Sequence, residues 1–226
     1  QKTAYEMCGR DWSSDVCSSD LVGSLASSSG AVVDLEANLT AGGDNTSTAL
    51  AGEMIGSSDL IKAGSGTLTM SGANSTFSGN LQVTAGTVLL TNANSLASDN
   101  NVTMTGTSTL DVDASVTIGT LIGATGNDID IAGNQTLTVT QVSDASFQGT
   151  IEGAGGLTKA GSNILELTGA NTYTGATTIT AGTLKTSNVN ALADTSAVTV
   201  SAGTFDVNET LTVASIAGTG GTIDIA

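Results

Sequence analysis

The feature that most constrains this chain is that it copies itself. Leu60–Asn74 reads LIKAGSGTLTMSGAN and Leu157–Asn171 reads LTKAGSNILELTGAN, which places Lys62 and Lys159 97 positions apart. Downstream, AGTVLLTNANSLA from Ala85 matches AGTLKTSNVNALA from Ala181, and LDVDASVTIGTL from Leu110 matches FDVNETLTVASI from Phe205. Upstream, SLASSSGAVVDL from Ser24 resembles SIAGTGGTIDI from Ser215. The small drift in offset is what one-residue turn insertions produce. A long repeated unit implies stacking, because one unit cannot bury its apolar face alone. Residues 24–226 therefore read as two copies of one unit, 24–127 and 128–226.

Within each copy a period of two dominates. TLTM (Thr67–Met70), TLDV (Thr109–Val112), DIDI (Asp128–Ile131), TLTVT (Thr136–Thr140), ILELT (Ile164–Thr168), AVTVS (Ala197–Ser201) and TIDI (Thr222–Ile225) alternate apolar with polar. Alternation sends the aliphatic side chains to one face and mostly Thr, Asp and Glu to the other. No stretch carries a capped apolar stripe of helical period, so no helix is expected. Clusters such as AGSG, SGAN, TGAN and GTGG supply tight turns. Aromatic residues are only 3% of the chain, too few to fill a wide sandwich core, and Asn-Gly or Asp-Gly hairpin signals are missing. A narrow tube filled with stacked Val, Ile, Leu and Ala meets these conditions. The expectation is an all-β parallel β-helix, a solenoid of about ten coils at ~20 residues each, roughly 50 Å long. One repeat unit then spans roughly four to five coils.

Residues 1–21, QKTAYEMCGRDWSSDVCSSDL, stand apart. They hold both Cys (Cys8, Cys17), the only Trp and the only Arg. They resemble the conceptual translation of an indexed short-read sequencing adapter. The segment is therefore set aside as a non-native, disordered addition, with the fold assigned to 22–226. A signal peptide is excluded by the lack of an apolar stretch after a basic start. A Cys8–Cys17 metal or disulfide pair has neither zinc-site spacing nor further Cys or His to complete it.

Charge narrows the function. The net formal charge is −16, with no His. That excludes His-dependent triads and His-ligated zinc, and removes the basic footprint of a nucleic-acid binder. No apolar run approaches the ~20 residues of a membrane-spanning helix. Mean hydropathy of +0.19 argues against wholesale disorder. After residue 21 the chain keeps only Lys62, Lys159 and Lys185 as cations, and no Cys.

LTKAGSNILELTGANTYTGATTITAGTLK (Leu157–Lys185) carries an LTK-G turn, an L-x-L-x-G-x-N strand, a TYTG-T-T-I strand and an AGTL strand, in that order. It resembles the autotransporter-associated β-strand repeat, the passenger-associated transport repeat of type V secretion. Leu60–Leu90 is a second, degraded copy, in which Phe77 replaces the Tyr one position later. The resemblance implies a right-handed helix, export through a Gram-negative outer membrane, and display outside the cell. It also implies a C-terminal translocator barrel, expected in a part of the protein beyond this chain, which reads as an internal fragment.

Asp111 with Asp113, Asp128 with Asp130, and the single Asp206 are candidate acids for glycan cleavage, since i, i+2 spacing puts each of the two pairs on one strand face. Asp206 and Asp224 repeat the positions of Asp111 and Asp130, which favours a solvated outer face. GATGND (Gly123–Asp128) reads as a turn before it reads as a calcium loop. Lys62 and Lys159 sit in matching turns, where they read as charge compensation for nearby acids. Tyr173, Phe77, Phe147 and Phe205 read as stacking residues. The sequence thus assigns no catalytic, cofactor-binding or metal-ligating residue, no cofactor and no enzyme activity. The expected role is a surface-display rod that supports adhesion or export, with an unidentified receptor or glycan as partner, no nucleic acid and no membrane-spanning segment. The rivals are a β-helix glycan-active enzyme and a repeat surface protein with another anchor.

Overall fold

The computed structural model describes residues 20–73 and 75–226, with side chains described from Val22 on. The N-terminal segment 1–19, with Cys8 and Cys17, lies outside the described residues. Among the described residues there are twenty-five short strands and no helix, and every strand pairing is parallel. The chain winds as a parallel β-solenoid with three faces. One face is a continuous sheet of eleven strands, here called the long sheet, running from Asp20–Val22 to Thr222–Ile225. A second sheet of six strands runs from Thr48–Leu50 to Thr150–Gly153, and a third of six runs from Val116–Ile118 to Ser215–Gly218. A two-stranded piece, Val32–Leu35 with Glu53–Gly56, precedes the third sheet. Eleven strands make ten steps, about 48 Å at the usual strand spacing.

The long sheet begins at Asp20, two residues inside the segment set aside on sequence grounds, because Asp20–Val22 pairs with Leu39–Ala41. An end coil offers open main-chain donors and acceptors, and any adjoining extended residues can fill them whatever their side chains.

Alternation decides what faces inward. In the long sheet Leu39, Leu60, Leu81, Val102 and Leu121 stack rung on rung, and all are buried. In the second sheet Leu68, Val88, Leu110, Ile129 and Ile151 do the same. Each such side chain contributes roughly 1.5–3 kcal/mol by leaving water, which isolated strands of three to five residues cannot otherwise gather.

Polar ladders hold the corners. Immediately before the long sheet, Asn38 Oδ1 accepts from the Asp59 amide at 2.9 Å, and Asp59 Oδ1 accepts from the Asn80 amide at 2.9 Å. Asn101 Nδ2 donates to Asn80 Oδ1, and Asn101 Oδ1 accepts from the Thr120 amide at 2.7 Å. Asn38, Asp59 and Asn101 thereby each satisfy a main-chain amide of the following coil, and the Asn80–Asn101 side-chain bond links the two coils between.

At the corner between the third and long sheets, Gly161, Gly182 and Gly203 all have positive φ. A Cβ on Gly161 would run into the Thr140 carbonyl of the coil below. Gly30 also has positive φ, but a Cβ there would meet open space. Gly30→Ala is expected to cost about 1–2 kcal/mol from backbone strain alone. Gly161→Ala is expected to cost clearly more, because the carbonyl must also move. Urea unfolding midpoints of the two variants check the ranking; equal losses would contradict the close-packed corner.

Candidate functional site

Of the acids highlighted by the sequence, Asp111, Asp128 and Asp130 fall on the outer face of the second sheet, whereas Asp206 falls on the long sheet. Asp111 pairs in register with Asp130, and Asp130 with Glu152. Three carboxylates therefore stand on successive rungs at the strand spacing of ~4.8 Å. Asp113 lies just beyond the strand end. Asp128 sits two residues from Asp130 on the same outward face, opposite Thr109 and Thr150. Glu152 was not among the sequence candidates, because its coil partner becomes visible only once register is known. Partial burial pushes the Asp111 carboxyl above its ordinary range, and the charges of Asp113 and Asp130 add to the shift.

These carboxylates do not line the groove of the third face. An open groove of about 580 Å³ lies on the third face, lined by Ser75, Thr76, Asn94, Ser98, Ser115 and Thr117 among others, with no ionisable side chain on its wall. A glycan-cleaving pair needs its carboxyls on either side of the scissile bond. Here the carboxyl ladder and the groove occupy different faces. Among the described residues, no group of three or more acids or thiols is placed to hold a metal ion.

The GATGND segment is a closed turn. Asn127 Oδ1 accepts from the Ala124 amide at 2.7 Å, while its Nδ2 donates to the Gly106 carbonyl and to Ser108 Oγ, both at 3.0 Å. Asn100 closes an equivalent turn on the Ala97 amide, donating to the carbonyls of Phe77 and Gly79. Tyr173, Phe77, Phe147 and Phe205 are wholly buried, so none offers a platform for a sugar ring. The Tyr173 hydroxyl bonds Thr177 Oγ1 at 2.6 Å, and burial pushes its pKa well above the ordinary phenol range.

The lysines correct the sequence reading. Lys62 and Lys159 do not compensate acids at the surface; both are buried, on inward rungs of otherwise aliphatic ladders. Lys62 Nζ donates to the carbonyls of Ala63 at 2.6 Å, Gly64 at 2.7 Å and Ala85 at 3.2 Å. Lys159 Nζ donates to those of Ala160 at 2.6 Å, Gly161 at 2.9 Å and Ala181 at 3.2 Å. The signal was present in the sequence: in L-x-K, a period of two puts the Lys on the same face as the Leu. Desolvation lowers both pKa values, that of Lys159 to about 8, with the charge of Asp144 opposing the shift. Lys185 is half-buried on the outer face, 3.1 Å from Glu166 and in register with Asp206. Every lysine of the described residues is thus engaged, and the solvent-facing charge is almost wholly negative.

The two motif copies occupy different faces. Leu60–Lys62 lies in the long sheet, but Leu157–Lys159 lies in the third. Thr67–Met70 lies in the second sheet, but Ile164–Leu167 lies in the long sheet. The unit is one face short of five coils, so the second copy is turned by one face relative to the first. The acid pair follows: Asp206 and Asp224 are again in register, now on the long sheet.

A family model described as the passenger-associated-transport-repeat matches residues 60–90 and 157–185. The chain therefore carries two passenger-associated transport repeats within a continuous β-solenoid, a passenger-like repeat module. No curated protein and no solved structure gave a match.

Two pH effects follow. Asp111 has a raised pKa in the folded state, so its contribution is most favourable below the unfolded value of 3.8 and is lost as pH rises through the folded value. Asp111→Asn is expected to stabilise the rod by about 0.5 kcal/mol at pH 7, with the gain shrinking towards pH 4. Lys159 titrates near 8 when folded and at 10.5 when unfolded, so the folded state holds fewer protons between those values and stability rises with pH across that window. Denaturant midpoints at pH 8 and 10 are expected to show this rise, and Lys159→Met is expected to diminish it.

Proposed function

We propose that the chain is part of a passenger rod that a type V secretion system carries across a Gram-negative outer membrane and displays outside the cell. The observation that carries this reading is the pair of passenger-associated transport repeats built into one uninterrupted solenoid. A stack of like coils suits export, because each ordered coil is the template for the next and no long-range contact has to wait for the whole chain. The absence of Cys from residue 22 onward suits passage through an oxidising compartment.

The work of such a rod is mechanical. Its anionic outer face repels anionic lipid headgroups and holds it away from the envelope. It then presents whatever loops or domain lie further along the full protein, to a surface receptor or a glycan. Anchoring falls to a translocator barrel outside this chain. No feature of the acid ladder favours a catalytic reading, since it stands on a different face from the groove.

The test is a secretion assay. The chain is placed between a signal peptide and an autotransporter barrel in a Gram-negative host, and intact cells are treated with protease. The expected result is surface exposure, seen as a protected barrel and a released β-rich fragment. Retention of the chain in the periplasm, with the same barrel exporting its own passenger normally, would overturn the proposal.

A further inference from the structure

Aliphatic ladders do not define their own register. Sliding one coil by two residues along its neighbour returns the same face inward, so Val on Val becomes Leu on Val at little cost. Yet the coils of this rod pair in one register throughout. Something in the repeat must discriminate between positions two residues apart.

We propose that the buried lysine of each motif copy is the register key of the repeat. Lys159 sits on an inward ladder between Val139 and Ile179, and Lys62 on one between Ala41 and Val83. Each ammonium has three protons, and each is taken by a main-chain carbonyl. Two acceptors belong to its own turn: Ala160 and Gly161 for Lys159, Ala63 and Gly64 for Lys62. The third belongs to the coil that follows: Ala181 for Lys159 and Ala85 for Lys62, each at 3.2 Å. In both copies that alanine precedes a glycine of positive φ, Gly182 or Gly86, whose turn lies over the ammonium. A Cβ on Gly182 would stand 2.8 Å from Lys159 Nζ.

The third bond reports register. If the following coil slips by two residues, its turn carbonyl leaves the ammonium, and a buried charge is left one acceptor short. That penalty is large in an apolar interior, where water cannot replace the lost partner. An apolar residue at the same rung would tolerate both registers. The ammonium thus acts on specificity, as single buried polar groups do when they set alignment in other stacked folds. The same constellation appears in two copies that lie on two different faces, so it belongs to the motif and not to one site on the rod. It is independent of where the protein is displayed.

Disulfide trapping during refolding tests this. With Cys8 and Cys17 changed to Ser, a Thr158→Cys, Thr178→Cys pair reads the native register. Thr158→Cys with Thr180→Cys reads a two-residue slip in one direction, and Thr158→Cys with Ala176→Cys reads the other. In the native stack those offset Cα atoms are ~8 Å apart, beyond the reach of a disulfide. The chain with Lys159 intact is expected to trap only the native pair when refolded from urea under oxidising conditions. The Lys159→Met chain is expected to keep its β-sheet circular dichroism and to trap slipped pairs at least fivefold more than the parent. Lys62→Met, read by Ile61→Cys with Gln82→Cys or Thr84→Cys, is expected to repeat the pattern on the other face. Native-only trapping in both Met variants would overturn the proposal. So would loss of the β signal in both, since the ammonium would then be a source of stability and not of register.

Discussion

Everything in this molecule rests on coils lying directly on one another. A strand of three residues has no stability by itself, and every strand of the described residues has only three to five. Their main-chain groups are satisfied by the coils before and after, and their inward side chains find contacts chiefly on the rungs above and below. The core is therefore a set of parallel columns and not a closed cluster. That explains the composition: columns take Leu, Val, Ile and Ala readily, whereas bulky rings must be fitted one at a time. Phe147, whose ring occupies the space where Gly123 and Gly149 lack a Cβ, shows what one aromatic demands of its neighbours.

Much of this was legible in the residues. A period of two placed Leu110, Ile129 and Leu165 inside without any structure, and the repeat announced stacking. The passenger-repeat resemblance was carried by the same segments that the family model matches. What could not be read was register across coils, because nothing local says which rung meets which. Glu152 joined the Asp111–Asp130 column only through that pairing. The lysines depart from the sequence expectation for a different reason. Their charge points to the surface, but L-x-K keeps strict alternation, and a turn full of carbonyls holds the ammonium out of water.

The division of charge between inside and outside gives the surface its character. Two of the three lysines of the described residues are consumed by the turns, and the third is paired with Glu166. Among the described residues, the acids other than Glu166 remain without a salt-bridge partner. Like charges on successive rungs oppose stacking, and the charge of Asp130 adds to the burial that raises the Asp111 pKa. The aliphatic columns outweigh that repulsion, and the surface gains resistance to edge-on association between rods.

Because the repeat closes one face short of five coils, the two copies point in different directions, about a third of a turn apart. A flat partner laid along the rod meets the motif's outer side chains from one copy and the flank of the other. Within each copy the glycine corners and carboxylate rungs line up along one edge or face, and that line shifts by one face from the first copy to the second.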